Sequence, residues 1–214
     1  RYHLALQSSR RRLAIALEHA APHFDDLPDE IKDQIAIHEA GHAFMAVKLG
    51  LSIDEVSIGT REMLTKGFSD GGVTMSAIQR RRALRYDRSS KAYTKEAAER
   101  DYAERQAMVS TAGHLAECVW TGRYMKNGDN VDKRAIEEVL RPHYPTDSEF
   151  QRANERLRLR VLRLFQDSRH AQAGVPAIAD ALRERKRLDG SEVRAIIRRA
   201  AREHGNRRAL PETA

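Results

Sequence analysis

Ala36-Ile37-His38-Glu39-Ala40-Gly41-His42-Ala43 lies in the middle of the best-signalled helix of the chain. Pro28 stands at the start, Asp29 and Glu30 fill the first turn, and Gly50 follows Leu49 as a stop, which predicts a helix over about 29–49. Ile31, Ile35, Met45 and Leu49, with small Ala at 36, 43 and 46, recur at helical spacing. Four residues of helix turn through about 400°, so His38 and His42 stack on one face with Cβ atoms roughly 6 Å apart. Two imidazoles so placed can converge on one tetrahedral cation at about 2.0–2.1 Å each. Glu39 falls about 100° round from His38, beside a metal rather than on it, where it can take a proton from water that the metal polarises. Residue types and spacing match what peptide-bond hydrolysis needs. The plain alternative, two half-buried polar histidines on a helix, leaves donors and acceptors to satisfy.

Two histidines leave such a site incomplete, because a catalytic centre takes a third protein ligand and keeps one position open. A metzincin-type continuation needs another His six residues past His42, and that position is Lys48. The carboxylates to weigh are Glu117, on a helix with small neighbours, and Asp129 and Asp132, just before a helix. Acidic residues in that place commonly cap the helix instead, so residue chemistry alone leaves all three open.

Around this motif the chain has 214 residues, 41% hydrophobic, 32% charged and only 6% aromatic, with a mean hydropathy of −0.66. That suits one domain, or one with a small appendage, and a mainly α core built on Ala, Leu, Ile and Val. The longest apolar runs, such as Ala43 to Val47, fall far short of the roughly twenty residues needed to span a bilayer. No secretory signal is legible, so a cytoplasmic location is expected. The single cysteine, Cys118, excludes an internal disulfide and a Cys-based zinc site.

The net charge of +7 is unevenly spread. Residues 30–140 hold 17 basic and 17 acidic side chains, whereas 141–208 hold 17 and 9. A basic C-terminal third can serve nucleic acid, an anionic membrane surface or an acidic partner. It can equally be a solvated, Arg-covered helical face. Aromatics there are limited to Tyr144, Phe150 and Phe165, which argues against single-strand binding.

Periodicity predicts a helix over 4–21, ending at Pro22, within an N-terminal helical extension, 1–29. Val56 and Ile58, and Val73 and Met75, alternate with polar neighbours and predict a two- to three-stranded sheet, with a flexible excursion from Thr60 to Gly72 between them. Residues 77–92 form a strongly basic insertion. A long helix is expected from about Thr94 to Trp120, interrupted or tightened near Gly113. Further helices follow at 132–141, 147–168, 175–187 and 191–204, a C-terminal helical bundle within a basic stretch, 141–204, with a flexible tail at 205–214.

The segment 36–43 resembles the zinc-binding helix of the FtsH family of metallopeptidases, and three further segments match in the same order. Gly71-Gly72-Val73-Thr74-Met75 resembles the family's Gly-x-Thr strand, and Ala112-Gly113-His114-Leu115-Ala116-Glu117 its Gly-Gly-Arg-x-Ala-Glu helix. Leu182 to Ile197 resembles the end of its peptidase domain, so the likeness covers about 30–198 within a domain placed at 30–204. The resemblance implies a helical zinc-peptidase domain with one Zn²⁺ per chain, held by His38, His42 and an Asp. Aligning Gly128 with the family's Gly-Ala-x-Asn-Asp segment puts that Asp at Asp132. The local text Asp129-Asn130-Val131 departs from the pattern, and Asp129 competes. Glu117 would then orient a ligand imidazole through its other ring nitrogen. Gly72, Val73, Thr74 and Met75 would form a sheet edge on which a peptide adds itself as a strand.

The chain also departs from the family. It contains no Gly-Lys dipeptide, hence no P-loop and no nucleotide site. The expectation is a zinc metalloendopeptidase independent of ATP, acting through Glu39 on peptides or unfolded segments. Its partners would be a polypeptide substrate and, as an open matter, further copies of itself, with nucleic acid a lesser candidate. The competing expectation is a non-proteolytic binding or regulatory module, with a structural zinc closed by a residue such as His114 or Asp129.

Overall fold

The computed structural model describes residues 24–59, 71–75, 94–122 and 129–209, and the statements below concern these. The helix expected over 4–21, the stretch 60–70, the basic insertion and the last five residues lie outside them. The described chain is mainly helical with a small antiparallel sheet. A 3₁₀ turn, Phe24–Asp26, leads into α1 (Asp29–Lys48), β1 (Ile53–Ile58), β2 (Gly71–Met75), α2 (Lys95–Trp120) and α3 (Asp129–Leu140). Then come α4 (Asp147–Asp167), α5 (Arg169–Arg185), β3 (Arg187–Asp189) and α6 (Gly190–Ala209).

α1 is the centre of the molecule. It packs between α2 and α5, with α6, β1 and β2 also against it. From Gln34 to Ala46 every residue but Ile37 and His38 is buried, so this helix is covered nearly all round rather than along one stripe. The chain leaves it by a Schellman turn: Gly50, at φ 71°, donates to Val47 O, and Leu51 N–H reaches back to Ala46 O. That reversal delivers β1 directly alongside the helix it came from.

The sheet order is β2-β1-β3, antiparallel throughout. Val56 pairs with Val73 on one side and Leu188 on the other, and an irregularity between Ile53 and Glu55 offsets the far end of the β1–β2 ladder. Among the described residues β2 therefore has a strand partner on one side only.

β3 corrects the helix expected to continue to 187. Lys186 adopts a left-handed conformation (φ 64°) that ends α5, and its carbonyl accepts from Ile58 N–H. Its ammonium pairs with Asp25 at 2.9 Å and lies 4.0 Å over the Phe24 ring, tying the 3₁₀ turn to the sheet. α5 also starts earlier than 175, because Pro176 sits inside it rather than at its head. Ser168 O takes the first-turn N–H groups of Ala171 and Gln172, and small Gly174 packs on Phe44, so burial outweighs the donor lost at proline.

Side chains fix the other helix starts. Thr94 accepts from Ala97 N–H on α2, Thr146 and Glu149 form a capping box on α4, and Asp189 with Glu192 does the same on α6. The core between these helices centres on Phe165, whose ring lies 6.2 Å from Phe44 and 5.1 Å from Trp120.

Candidate metal centre

Three elements meet at the site. α1 supplies His38, Glu39 and His42, α2 supplies Glu117 and the backbone of Val109, and α3 supplies Asp132. α1 and α2 can approach closely because each offers a glycine at the crossing. A Cβ on Gly41 would come within 2.6 Å of Ala116 Cβ, and one on Gly113 within 2.4 Å of His42 Nε2 and 2.6 Å of His38 Nε2. The helix expected to be interrupted or tightened near Gly113 runs on without interruption. The glycine is needed there for space, not for a bend.

His42 Nδ1 lies 2.6 Å from Val109 O, and a carbonyl can only accept, so the ring carries its proton on Nδ1. His38 Nδ1 is hydrogen-bonded to Glu117, a carboxylate that is 1% exposed. Both Nε2 atoms therefore offer lone pairs, and they face each other at 2.9 Å. Asp132 Oδ2 closes the triangle, 3.2 Å from His38 Nε2 and 3.3 Å from His42 Nε2, with no other hydrogen-bond donor among the described residues. Ligands about 2.05 Å from a tetrahedral ion stand about 3.3–3.4 Å apart, which the two separations to Asp132 match, while the imidazole pair stands closer. Three acceptors converging without a donor call for a cation between them. His38, His42 and Asp132 thus form a group that could hold a metal ion.

The electrostatics agree with this geometry. Burial is the largest influence on His38 and opposes its charged form. Hydrogen bonds with Asp132 and Glu117, and the charges of Glu39 and Asp132, outweigh it and push the pKa up to about 10. His42 is also raised: burial opposes the charge, but Asp132 prevails. Asp132 resists burial because both imidazoles hold it well below the usual carboxylate range. A proton and a metal ion would therefore compete for the same imidazole lone pairs.

Glu39 stands outside the ligand group but within its field. It is 3% exposed, and its Oε2 is buried with no hydrogen-bond partner among the described residues. Burial, first, and then Asp132 and Glu117 raise its pKa, against the lowering pull of His38 and His42. A carboxylate so placed takes up a proton readily.

Other candidate positions fall as follows. Asp132, expected just ahead of its helix, is instead in the first turn of α3, where its carboxylate faces the imidazoles rather than capping the helix. Asp129 opens the same helix, and its side chain lies outside the described residues. Gly72, Val73, Thr74 and Met75 all lie in β2, at the edge of the sheet packed on α1, and their side chains too lie outside the described set. His114, weighed as an extra ligand, is not in the group; its Nε2 is 3.8 Å from Cys118 Sγ. Two partners escaped the reading of the sequence. A backbone carbonyl such as that of Val109 leaves no mark in sequence. Gln34, which donates to Glu117 Oε2 at 2.8 Å, precedes His38 by four residues on the same helix face, and that spacing was a usable signal.

Compared with known proteins, the chain matches no protein-family model and no curated protein sequence. Among the described residues no helix is long and apolar enough to cross a membrane.

Proposed function

We propose that this chain is a zinc-dependent endopeptidase of the FtsH peptidase type, acting on peptides or unfolded segments. One observation carries the reading. Three acceptor atoms, His38 Nε2, His42 Nε2 and Asp132 Oδ2, converge beside a buried carboxylate, Glu39, whose Oε2 has no hydrogen-bond partner among the described residues. Two imidazoles and one carboxylate suit zinc, and three protein ligands leave a coordination position open.

When bound, zinc supplies Lewis acidity, lowering the pKa of water and polarising the scissile carbonyl. The chain's own residues do the rest. Glu117 and the Val109 carbonyl hold the two Nδ1 protons, so that both imidazoles present Nε2 in a fixed direction. Glu39 accepts the proton of the attacking water and passes it to the leaving nitrogen. The free side of β2 offers main-chain donors and acceptors to an extended peptide, which favours unfolded segments over folded ones and selects weakly among side chains.

Metal analysis of the purified protein, joined to cleavage of an unfolded casein with and without a chelator, tests the reading. About one zinc per chain and chelator-sensitive cleavage support it. A protein that takes up no divalent metal at neutral pH ends it, and a metal-loaded protein inert towards casein favours the non-proteolytic alternative.

A further inference from the structure

We infer that Gln34 is a positioning residue of this centre: its side-chain amide fixes the carboxylate of Glu117, and through it the direction in which His38 presents Nε2. The inference rests on reading His38, His42 and Asp132 as a metal site.

Gln34, His38 and His42 occupy successive turns of one face of α1. Gln34 Nε2 donates to Glu117 Oε2 at 2.8 Å, and His38 Nδ1 donates to Oε1 of the same group. Two donors from one helix thus engage both oxygens of a carboxylate carried by another, and α1 sets the plane of a group that belongs to α2. The His38 ring follows, because its N–H must point at the oxygen it serves. Gln34 is 5% exposed and Glu117 1%, so the exchange takes place inside the core, where each bond is stronger than in water.

The residue type fits the role. A neutral amide steadies the carboxylate without cancelling its charge, which remains directed at His38. Lys or Arg at this position would form an ion pair with Glu117 and draw that charge away from the ring. Asn is one methylene shorter and would not span the distance. His42 needs no equivalent support, since the rigid backbone at Val109 already holds its Nδ1 proton.

Zinc affinity by competition with a chromogenic chelator, the visible spectrum of the Co²⁺-loaded protein and the metal-free thermal melt test this in wild type, Gln34→Met, Glu117→Gln and the double variant. We expect Gln34→Met to weaken zinc binding about tenfold, the lower end of the range for outer hydrogen-bond partners, and to shift the cobalt bands. The metal-free protein should stay folded, its melt lowered only by the loss of one buried hydrogen bond. In the Glu117→Gln background, Gln34→Met should change affinity no further, because the path it acts through is already cut. Wild-type affinity and spectrum in Gln34→Met overturn the assignment, as does full additivity in the double variant. A loss of affinity that accompanies collapse of the metal-free fold also overturns it, by making Gln34 a packing residue. Failure of the wild type itself to bind metal is a different result and removes the site reading first.

Discussion

Gly113 lies against His42 so closely that a Cβ there would come within 2.4 Å of Nε2. The neighbouring atoms are the far ends of imidazoles, which can swing aside, so Gly113→Ala should spare the fold and lose the site. Alanine favours the helix by about 1 kcal/mol over glycine, offsetting much of the crowding. Zinc affinity should fall more than tenfold, on the scale seen for disturbed ligand surroundings, while the metal-free melting temperature moves little. Titration with zinc beside a thermal melt separates the two effects.

Glu39→Gln removes the proton acceptor and no ligand. Cleavage of an unfolded protein should drop by about 10²–10⁴-fold with zinc content unchanged. A variant that cleaves at the wild-type rate would sink the proposed chemistry.

Zinc binding should strengthen as pH rises. His38 in the metal-free chain has its pKa pushed up to about 10 and His42 is raised as well, so at neutral pH a proton must leave before the metal enters. Below about pH 10 the proton leaving His38 adds about one log unit of affinity per pH unit, and His42 acts in the same direction. For the metal-free fold the signs are opposite for the two partner types. A raised His38 contributes stability that is full below the ordinary histidine range and lost as pH climbs through about 10. The depressed Asp132 contributes fully above the ordinary carboxylate range, and that stability is lost as pH falls below the range toward its lowered pKa. Zinc affinity from about pH 5 to 9, and denaturant midpoints from about pH 2 to 10, check these trends.

The core should be most sensitive where aromatic rings meet. Phe165 is fully buried between Phe44 and Trp120, and Phe165→Ala should cost about 3–5 kcal/mol. Thr146→Ala removes one half of the α4 capping box at the surface and should cost about 1 kcal/mol. Denaturant unfolding distinguishes losses of this size.

What the sequence disclosed depended on how local the signal was. α1 was legible to within a residue at each end, because Pro28, the acidic first turn and Gly50 all act on the helix that carries them. The pairing of His38 with His42 follows from spacing alone. Asp132 needed the resemblance, since no local rule separates a ligand from a helix-capping carboxylate. β3 was invisible: three residues, Arg187-Leu188-Asp189, show too little alternation, and what makes them a strand is the ladder offered by β1. The start of α5 was missed because proline marks a helix beginning only by default, and packing against α1 overrode that preference. Gly113 reads in sequence as a point where α2 is interrupted or tightened, whereas the reason for it sits on α1.

Two of the three candidate ligands ride on the most deeply enclosed helix of the molecule, and the third rides on α3, where Ile136 and Leu140 are the buried residues of the segment 131–140. An ion at this centre would therefore act as a clasp between an immovable element and a lightly anchored one. Backbone amides of α3 should exchange with deuterium faster when the ion is stripped, while those of α1 keep the same slow pace. Metal occupancy would thus be recorded as local loosening of α3, the element that meets the motif helix through Asp132.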